Sequence, residues 1–213
     1  MSNDVVATYR HKNGTQVVEV VYDYLYCELE DANPLKREEW LSFPAAEHRN
    51  YVIGTEQLDP EAMTVRWAWA KLQAESHPDR FRMLPVYIYE HSQIAFSLGR
   101  DYPFNCPWDA GCIGAILLER GTFEGEHGLK WENARQICQG VLDEYTAYMN
   151  GWCFAYVRYE LATCDRGHEH REVLDSCGGY VGLEFEQLGI LFDAGITASD
   201  DHTRLHAAWE EVA

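Results

Sequence analysis

Three side chains of this 213-residue chain have the types that cysteine-dependent hydrolases and transferases use. Cys177 lies in Asp175-Ser176-Cys177-Gly178-Gly179, where glycines after a strand would expose backbone amides beside a thiol. His91, at the end of a predicted strand, could act as the base, and Asp109 could orient its imidazole. The spacing does not show that the three converge, and a buried structural cysteine is the favoured alternative because free cysteine is among the most buried residue types.

A second group of residues has the side chains of a metal site: Cys164, His168 and His170 lie around a predicted hairpin turn. A fourth ligand is not evident nearby, so solvated turn histidines are the favoured interpretation and we predict no metal. The chain also lacks the spacing of an EF-hand, a glycine-rich phosphate loop and a Gly-x-Ser-x-Gly elbow. We therefore predict no cofactor.

The charge balance is the strongest deviation in composition. The chain has 17 Lys and Arg against 35 Asp and Glu, a formal net charge of -18 at pH 7, and residues 121–213 hold 17 acidic and 6 basic side chains. Such a chain repels nucleic-acid phosphates and anionic lipids, so we predict no direct nucleic-acid or membrane binding but a basic protein partner. The alternative is an acidic surface that only confers solubility. The candidate contact residues are carboxylates of the C-terminal third: Glu169, Glu172, Glu184, Glu186, Asp200 and Asp201.

The elements that must position these residues predict an α+β fold, mainly an antiparallel sheet with one long packed helix and C-terminal helices. Asn13-Gly14 predicts a hairpin turn between two N-terminal strands, and Asp59-Pro60 predicts the capped start of a helix that ends near Ser76. Further predicted strands cover residues 84–91, 94–98, 113–118, 152–163 and 173–177, the last ended by Gly178 and Gly179.

Helical periodicity is clearest in residues 130–149, whose apolar residues recur at steps of three and four. Two weaker signals predict C-terminal helices, an amphipathic one at 183–192 and a last one that begins at Ser199 or Asp200. We interpret residues 121–128, which begin and end with glycine, as a flexible connector.

The sequence shows no internal repeat or linker, so we predict a single domain over residues 1–213. It would comprise an N-terminal hairpin and helix portion (1–80), a core (84–192) and a C-terminal helix (199–213). The chain has no basic segment followed by an apolar run and no stretch of roughly 18 apolar residues, which predicts a cytoplasmic protein with its seven cysteines as free thiols. A homo-oligomer is left open.

Three motifs in the central and C-terminal parts resemble a family of small proteins carried by bacteriophages and integrative conjugative elements. They are Leu84-Pro85-Val86-Tyr87-Ile88-Tyr89-Glu90-His91-Ser92, Cys106-Pro107-Trp108-Asp109-Ala110-Gly111 and Asp175-Ser176-Cys177-Gly178-Gly179-Tyr180. Tyr145-Thr146-Ala147-Tyr148 and Gly151-Trp152 are also similar to that family. The resemblance covers about half of the chain, leaves out residues 1–80, and has Gly178 where relatives are expected to have Trp. It lends no catalytic residue.

The resemblance implies a role in conflict between mobile elements and their bacterial hosts. Such elements often carry small acidic proteins that imitate DNA and occupy the basic groove of a restriction or CRISPR enzyme. We therefore expect a non-enzymatic protein of the host cytoplasm that blocks a nucleic-acid-binding defence protein by DNA mimicry. The alternatives are the enzyme that uses Cys177, His91 and Asp109, and an accessory protein whose charge has no specific role.

Overall fold

A computed structural model describes residues 4–29, 32–99, 108–198 and 201–212, without the side chains of residues 27 and 201–203. Its strands are β1 (Val5–His11), β2 (Gln16–Tyr22), β3 (Pro44–Ala46), β4 (Glu56–Leu58), β5 (Phe81–Glu90), β6 (Ile94–Leu98), β7 (Ala110–Glu119), β8 (Cys153–Thr163), β9 (Glu169–Val181), β10 (Thr197–Ala198), β11 (Asp201–Leu205) and β12 (Trp209–Val212). Its α-helices are α1 (Tyr24–Cys27), α2 (Pro34–Arg37), α3 (Pro60–Ser76), α4 (Ala134–Met149) and α5 (Ile190–Asp193). The fold is α+β with mainly antiparallel sheets, as predicted.

The chain divides into two compact units. The terminal unit comprises Met1–Ala32 and Ala147–Ala213, and the central unit comprises Asn33–Thr146. The predicted N-terminal portion is therefore shared, because the β1–β2 hairpin belongs to the terminal unit and α3 to the central unit. That residues 1–213 form a single domain stays a prediction.

The terminal unit is built on an antiparallel sheet of order β12-β1-β2-β8-β9. One face of the sheet carries its main core, which joins Val18, Val20 and Phe154 to Ile190 and Ile196 from the segment after β9. The predicted hairpin across Asn13-Gly14 is confirmed, and Gly14 has the positive φ of 76° that the turn requires. The predicted β8–β9 hairpin is also confirmed, but Gly178 and Gly179 do not end β9, which continues to Val181.

The predicted last helix is wrong for the described residues, since 201–205 and 209–212 form strands. β12 pairs with β1 in register, Tyr9 opposite Glu211 and His11 opposite Trp209. This pairing provides hydrogen-bond partners for the backbone at the edge of β1 and buries Trp209 in the core of the terminal unit. The free energy gained from these tertiary contacts outweighs the helix propensity of the Ala-Ala-Trp-Glu-Glu segment. The predicted cap residues Ser199 and Asp200 lie outside the described residues.

The predicted amphipathic helix at 183–192 is also wrong as a continuous element. A single 3-10 turn (Phe185–Gln187) and the four-residue α5 replace it. Gly189 separates them with a left-handed φ of 77°, which a continuous right-handed helix cannot accommodate. The break lets Phe185, Ile190 and Leu191 all reach the core of the terminal unit.

The central unit contains the sheet β4-β3-β7-β5-β6, in which β3 and β4 are parallel and the other pairs antiparallel. Helix α3 packs against β3, β5 and β7. It begins as predicted, with Pro60 at the first helical position and the Asp59 carboxylate accepting a hydrogen bond from the Ala62 N–H (2.9 Å).

Helix α4 covers the edge strand β6 with its side chains. The Phe96 N–H donates to Thr146 Oγ1 (3.1 Å) and the Leu98 N–H to Gln139 Oε1 (2.9 Å). The guanidinium of Arg135 donates to the Leu98 carbonyl (2.8 Å). The open hydrogen-bonding edge of this sheet is thus occupied from within the chain.

Residues 121–128 are not the predicted flexible connector. Gly121–Glu126 form a turn of π-helix, and Phe123 in this turn is buried against Trp40 and Trp131. The Glu124 carboxylate accepts a hydrogen bond from the Trp131 N–H (3.1 Å), which fixes the start of the following helix. Aromatic burial therefore orders a segment whose glycines had indicated flexibility.

Two further expectations concern cysteines and membrane spans. Free thiols are found at Cys112, Cys138, Cys164 and Cys177, whereas Cys153, buried at the start of β8, is disulfide-bonded. The expectation of free thiols throughout is therefore wrong at Cys153. Among the described residues, no helix has both the length and the apolar character required to cross a membrane.

Candidate functional site

The negative charge is concentrated in the terminal unit. Residues 1–32 and 147–213 contain 18 acidic and 6 basic side chains, which gives -12, whereas residues 33–146 contain 17 acidic and 11 basic side chains, which gives -6. Two thirds of the net charge thus belongs to slightly less than half of the chain.

Few carboxylates of the terminal unit are neutralised from within it. In the described part of this unit one ion pair is formed within 4 Å, between Arg171 on β9 and Glu19 on β2 (2.6 Å). Most of the acidic side chains there therefore keep a net negative field that another molecule can use.

Four of the six predicted contact residues have described side chains, and all four are exposed. Glu169 and Glu172 lie on β9, and Glu184 and Glu186 lie at the 3-10 turn that follows. Asp201 begins β11 but its side chain is not described, and Asp200 lies outside the described residues. Glu169 and Glu172 are three residues apart on one strand, so they project from opposite faces of the sheet.

Glu172 faces another carboxylate directly across the sheet. In the register of β8 and β9 it stands opposite Glu160, and both side chains are exposed. Like charges in this position destabilise a sheet. Arg158 precedes Glu160 on the same face, but its guanidinium donates two hydrogen bonds to Gln16 Oε1 (3.2 and 2.6 Å) and lies over the Trp209 ring. The glutamate pair therefore has no cation within ion-pairing distance in the described structure.

Two aspartates next to this pair are held by tyrosine hydroxyls. The Tyr156 hydroxyl donates to Asp175 Oδ2 (2.7 Å), and the Tyr180 hydroxyl donates to Asp193 Oδ2 (2.7 Å). Burial, followed by these hydrogen bonds, raises the pKa of both tyrosines above its ordinary value. Neutral donors thus fix the two carboxylates in place. Asp175 stands opposite Arg158 in the β8–β9 register, but among the described residues neither carboxylate lies within 4 Å of a cation. We call Glu160, Glu172, Asp175 and Asp193 the acidic cluster.

Another pair of like charges lies near Tyr9 in the same unit. Burial, Glu211 and Glu186 together raise the pKa of Tyr9 to about 12. Glu211 stands opposite Tyr9 in the β1–β12 register, and Glu186 comes from the 3-10 turn. Both carboxylates act on one phenol, which places the predicted residue Glu186 in a second negative region of the terminal unit.

Cys177 lies on β9 opposite Tyr156 and is exposed, so the favoured interpretation of a buried cysteine is wrong. Activated thiols lie in electropositive surroundings. The ionisable groups whose interactions involve Cys177 are instead Tyr156 and Tyr180, which are themselves bonded to Asp175 and Asp193. A general base beside the thiol is not among them.

His91 and Asp109, selected by residue type, lie close together in the structure, which their spacing in the sequence did not show. The Glu90 N–H donates to the Asp109 carbonyl (2.7 Å) at the end of β5, and this places Asp109 Oδ2 3.6 Å from His91 Nδ1. The separation suits an ion pair when His91 is protonated and is too long for a hydrogen bond. Both residues belong to the central unit and Cys177 to the terminal unit, so the three-residue arrangement stays a prediction.

A second histidine–carboxylate pair adjoins the first. His48 Nε2 lies 3.3 Å from Glu90 Oε2, while the Asn50 N–H donates to His48 Nδ1 (3.3 Å) and the Asn50 amide donates to Glu90 Oε1 (3.3 Å). Because Nδ1 accepts a hydrogen bond, neutral His48 carries its proton on Nε2 and donates it to Glu90. Both oxygens of Glu90 are therefore occupied.

These pairs border a polar cavity of about 440 Å³ in the central unit. Its lining includes Glu90, His91, Asp109, the guanidinium-bearing Arg49 and the ring of Trp108, which is 91% exposed. Within the described part of the chain Arg49 has no ion-pair partner. An unpaired guanidinium, an exposed indole and the imidazole of His91 can bind and protonate a small polar molecule.

The predicted turn residues Cys164, His168 and His170 do lie at the β8–β9 turn, where the Cys164 N–H donates to the His168 carbonyl (2.9 Å). His168 and His170 are exposed. Among the described residues no group of three or more His, Cys, Asp or Glu side chains is arranged to hold a metal ion.

Sequence reasoning did not select Glu160, Asp175 and Asp193. Glu160 could have been found from the strand alternation that also contains Arg158, and its position opposite Glu172 follows from the unbroken register that starts at the β8–β9 turn. Asp175 lies beyond a register irregularity between Arg158 and Tyr159, and a second irregularity lies between Phe154 and Tyr156. The sequence contains no pattern that predicts those irregularities.

Comparisons with known proteins give no match to any family model, curated protein or solved structure. The likeness to proteins of phages and conjugative elements therefore rests on the sequence motifs alone.

Proposed function

We propose that the terminal unit is a binding module that presents the acidic cluster to a basic protein surface and substitutes there for a polyanion. The partner class is a host protein that normally grips nucleic acid, such as a restriction or CRISPR complex. The sequence resemblance to proteins of mobile elements motivates that choice of class, and the charge distribution motivates the mode of binding.

The observation that carries this proposal is the directly opposed pair Glu160 and Glu172. Opposed like charges cost a sheet several tenths of a kcal/mol, roughly 0.2–1 kcal/mol, in the free protein. The same two charges become favourable when Lys or Arg side chains of a partner lie over them. Arg158 could have neutralised the pair, yet it bonds to Gln16 instead.

The fixed aspartates strengthen the case for a preorganised surface. Asp175 and Asp193 are oriented by Tyr156 and Tyr180 at 2.7 Å, so binding need not order these two side chains again. Exposed Leu174, the unpaired residue between Val173 and Asp175, adds apolar surface between Glu172 and Asp175 along the strand. Long-range attraction with short-range contact is the usual composition of a charged protein interface.

The test captures proteins from a bacterial lysate on the immobilised chain and elutes them with duplex DNA. The double variant Glu160→Gln/Glu172→Gln should lose captured proteins that DNA displaces. The matched control, Glu39→Gln/Glu126→Gln, changes the net charge equally at two exposed carboxylates of the central unit and should retain them. Equal capture by both variants, or capture that duplex DNA does not displace, would contradict the proposal.

A second candidate function is favoured by the His91–Asp109 separation of 3.6 Å beside the 440 Å³ cavity. In this function His91 Nε2 takes a proton from water or a substrate hydroxyl, and Asp109 stabilises the imidazolium. Arg49 would hold an anionic group of the substrate.

This candidate is tested by following p-nitrophenol release from p-nitrophenyl acetate and p-nitrophenyl phosphate. His91→Gln should lower the rate by about 100-fold, the lower range of general-base contributions, while His127→Gln, at an exposed histidine of the same unit, should not. A wild-type rate no higher than buffer, or equal rates for both variants, would remove the candidate.

A further inference from the structure

Helix α3 carries apolar side chains on two faces, and only one of them packs inside the central unit. Trp67 and Met63 line the space between the helix and β7, and Ala70 is buried on the same side. Trp67 and Trp69 are two positions apart and therefore cannot both face inward. In the structure Trp67 lies toward β7, whereas Trp69 is 45% exposed and borders a cavity with Phe81 of β5 and Leu117 of β7 at the rim of the helix.

The outer face forms a stripe that we call the α3 outer stripe: Ala62, Val65, Trp69 and Leu72. Its steps of three, four and three are those of a and d positions in a heptad. Val65 is 66%, Trp69 45% and Leu72 58% exposed, which is unusual for three large apolar residues in one row. A stripe of this spacing fits the matching stripe of another helix.

The helix is already formed and held in place before any pairing. Asp59 caps its N-terminus and the inner face packs on the sheet. Isolated helices of about 12–15 residues are marginal in water because ordering them is costly. Because α3 is already ordered in the folded chain, its association with another helix does not include the entropy cost of helix formation. A short contact between the two helices can therefore suffice for pairing.

Charges beside the stripe select both the occupant and its direction. If Ala62 is at an a position, Glu61 is at a g position and Arg66 is at the e position five residues later. In parallel coiled coils of identical chains, a g residue of one helix contacts the e residue five positions later in the other helix. In an antiparallel pair Glu61 would instead approach Glu75, a like charge at another g position. Arg66 is held at the stripe, 5.3 Å over the Trp69 ring and 3.7 Å from Glu56.

We propose that two copies of this chain associate through the α3 outer stripe, with the helices parallel and Glu61 of each copy paired with Arg66 of the other. This inference is independent of the acidic cluster and of the cavity at His91. The stripe from Ala62 to Leu72 spans only about one and a half heptads, so the interface belongs to the small, weak class of roughly 1,200 Å² or less.

Sedimentation equilibrium of the full chain from about 1 to 500 µM measures the association, a range that covers weak interfaces. The wild type should pass from monomer to dimer within it, and Leu72→Asp should remain monomeric. The control Val52→Asp changes a residue that is 79% exposed in the same unit but outside the helix, and it should dimerise like the wild type. Circular dichroism checks that both variants fold. A monomeric wild type, or equal losses in the two variants, would overturn the proposal.

The direction of pairing is tested by charge reversal. Glu61→Lys should weaken the dimer about tenfold or more, a loss of about 1.4 kcal/mol, because a positive charge at position 61 would then face Arg66 of the other copy. Glu61→Lys/Arg66→Glu should restore it by exchanging the two charges. If Glu61→Lys strengthens the dimer, the helices are antiparallel and the proposal is wrong. If the exchanged variant stays weak, the proposed contact is wrong even if a dimer exists.

Discussion

In the described part of the central unit at least five Lys or Arg side chains lie within 4 Å of a carboxylate, whereas in the described part of the terminal unit Arg171 alone does. The outermost strands of the two units also differ in how much of each strand other residues of the chain cover. In the central unit, α4 side chains bond to the backbone of β6. In the terminal unit, the first ten of the 13 residues of β9 are exposed.

The numbers of surface ion pairs in the two units differ in their effect on the surface charge of each unit more than in their effect on its stability. Exposed ion pairs contribute little stability, about 0–1 kcal/mol each, so the central unit does not depend on its pairs to fold. Their effect is to cancel charge that would otherwise act at a distance. The terminal unit omits this cancellation and also leaves β9 open, the combination expected of a surface that another molecule completes.

We expect the largest difference in the free energy of unfolding when a glycine in the sheet of each unit is replaced by alanine. Gly114→Ala would place Cβ 2.3 Å from the Pro44 carbonyl oxygen and 2.9 Å from the Ala45 Cα, and backbone atoms cannot move aside. We expect this change in the central unit to cost about 3 kcal/mol of unfolding free energy, the upper range for overpacking.

Gly178→Ala in the open strand β9 is the matched change. Its Cβ would lie 2.3 Å from Asp23 Oδ2, the end of a side chain that can rotate away at the cost of its hydrogen bonds from the Gly179 N–H (3.3 Å) and the Tyr26 N–H (3.1 Å). The expected cost is about 1 kcal/mol. Urea unfolding of both variants measures the difference, and equal costs would show that β9 is as constrained as the central sheet.

Alkaline pH should act on the terminal unit through Tyr9, whose pKa burial, Glu211 and Glu186 raise to about 12. The folded state favours the neutral phenol, so this stabilisation is complete below about pH 10 and is lost as the pH rises through about 12. Tyr9→Phe should move the midpoint of alkaline unfolding upward by about one pH unit, because Phe does not ionise. Glu186→Gln/Glu211→Gln should give an intermediate shift. An unchanged midpoint in Tyr9→Phe would contradict this assignment.

Salt should separate the two units because it screens repulsion in one and attraction in the other. Between about 20 and 500 mM NaCl we expect amides of the terminal unit to gain protection from hydrogen exchange by about 0.5–1 kcal/mol. Amides of the central unit should stay constant or lose a few tenths of a kcal/mol. Mass spectrometry of peptides from each unit measures both at once. The same response in both units would show that the paired and unpaired charges do not differ in effect.

The smallest expected effect is a gain in stability when the opposed glutamates are separated. Glu172→Gln removes the repulsion with Glu160 and should stabilise the terminal unit by about 0.5 kcal/mol. Glu169→Gln, on the other face of β9, should change stability less. Hydrogen exchange of β8 and β9 amides measures both variants. A loss of stability in Glu172→Gln would mean that Glu172 has a structural partner.

Local chemistry predicted the elements whose signals are short-range. The Asn13-Gly14 turn and the Asp59-Pro60 cap each depend on a few neighbouring residues, and both are found. The segment at 209–212 could not be assigned because its strand exists through pairing with β1, at the other end of the chain. Gly189 could have indicated the break near α5, since a glycine inside a helical pattern is an unfavourable residue.

The candidate sites divide in the same way. His91 and Asp109 were selected by residue type, but their proximity depends on the pairing of β5 with β7, which their spacing did not predict. Of the acidic cluster, sequence reasoning selected only Glu172. Glu160 could have been found from strand alternation, whereas Asp175 depends on a bulge and on the Tyr156 hydroxyl, and Asp193 on the turn that brings it to Tyr180. The uneven division of charge between the two units could not be predicted from the sequence, because it depends on both ends of the chain belonging to the same unit.

The most direct measurement of the central claim is a calorimetric titration with a decameric arginine peptide at about 50 and 150 mM NaCl. The wild type and Glu39→Gln/Glu126→Gln should bind with Kd values that agree within about twofold, whereas Glu160→Gln/Glu172→Gln should bind about tenfold more weakly, a difference of about 1.4 kcal/mol. Equal weakening in the two double variants would show that overall charge and not the acidic cluster governs binding, and would contradict the account.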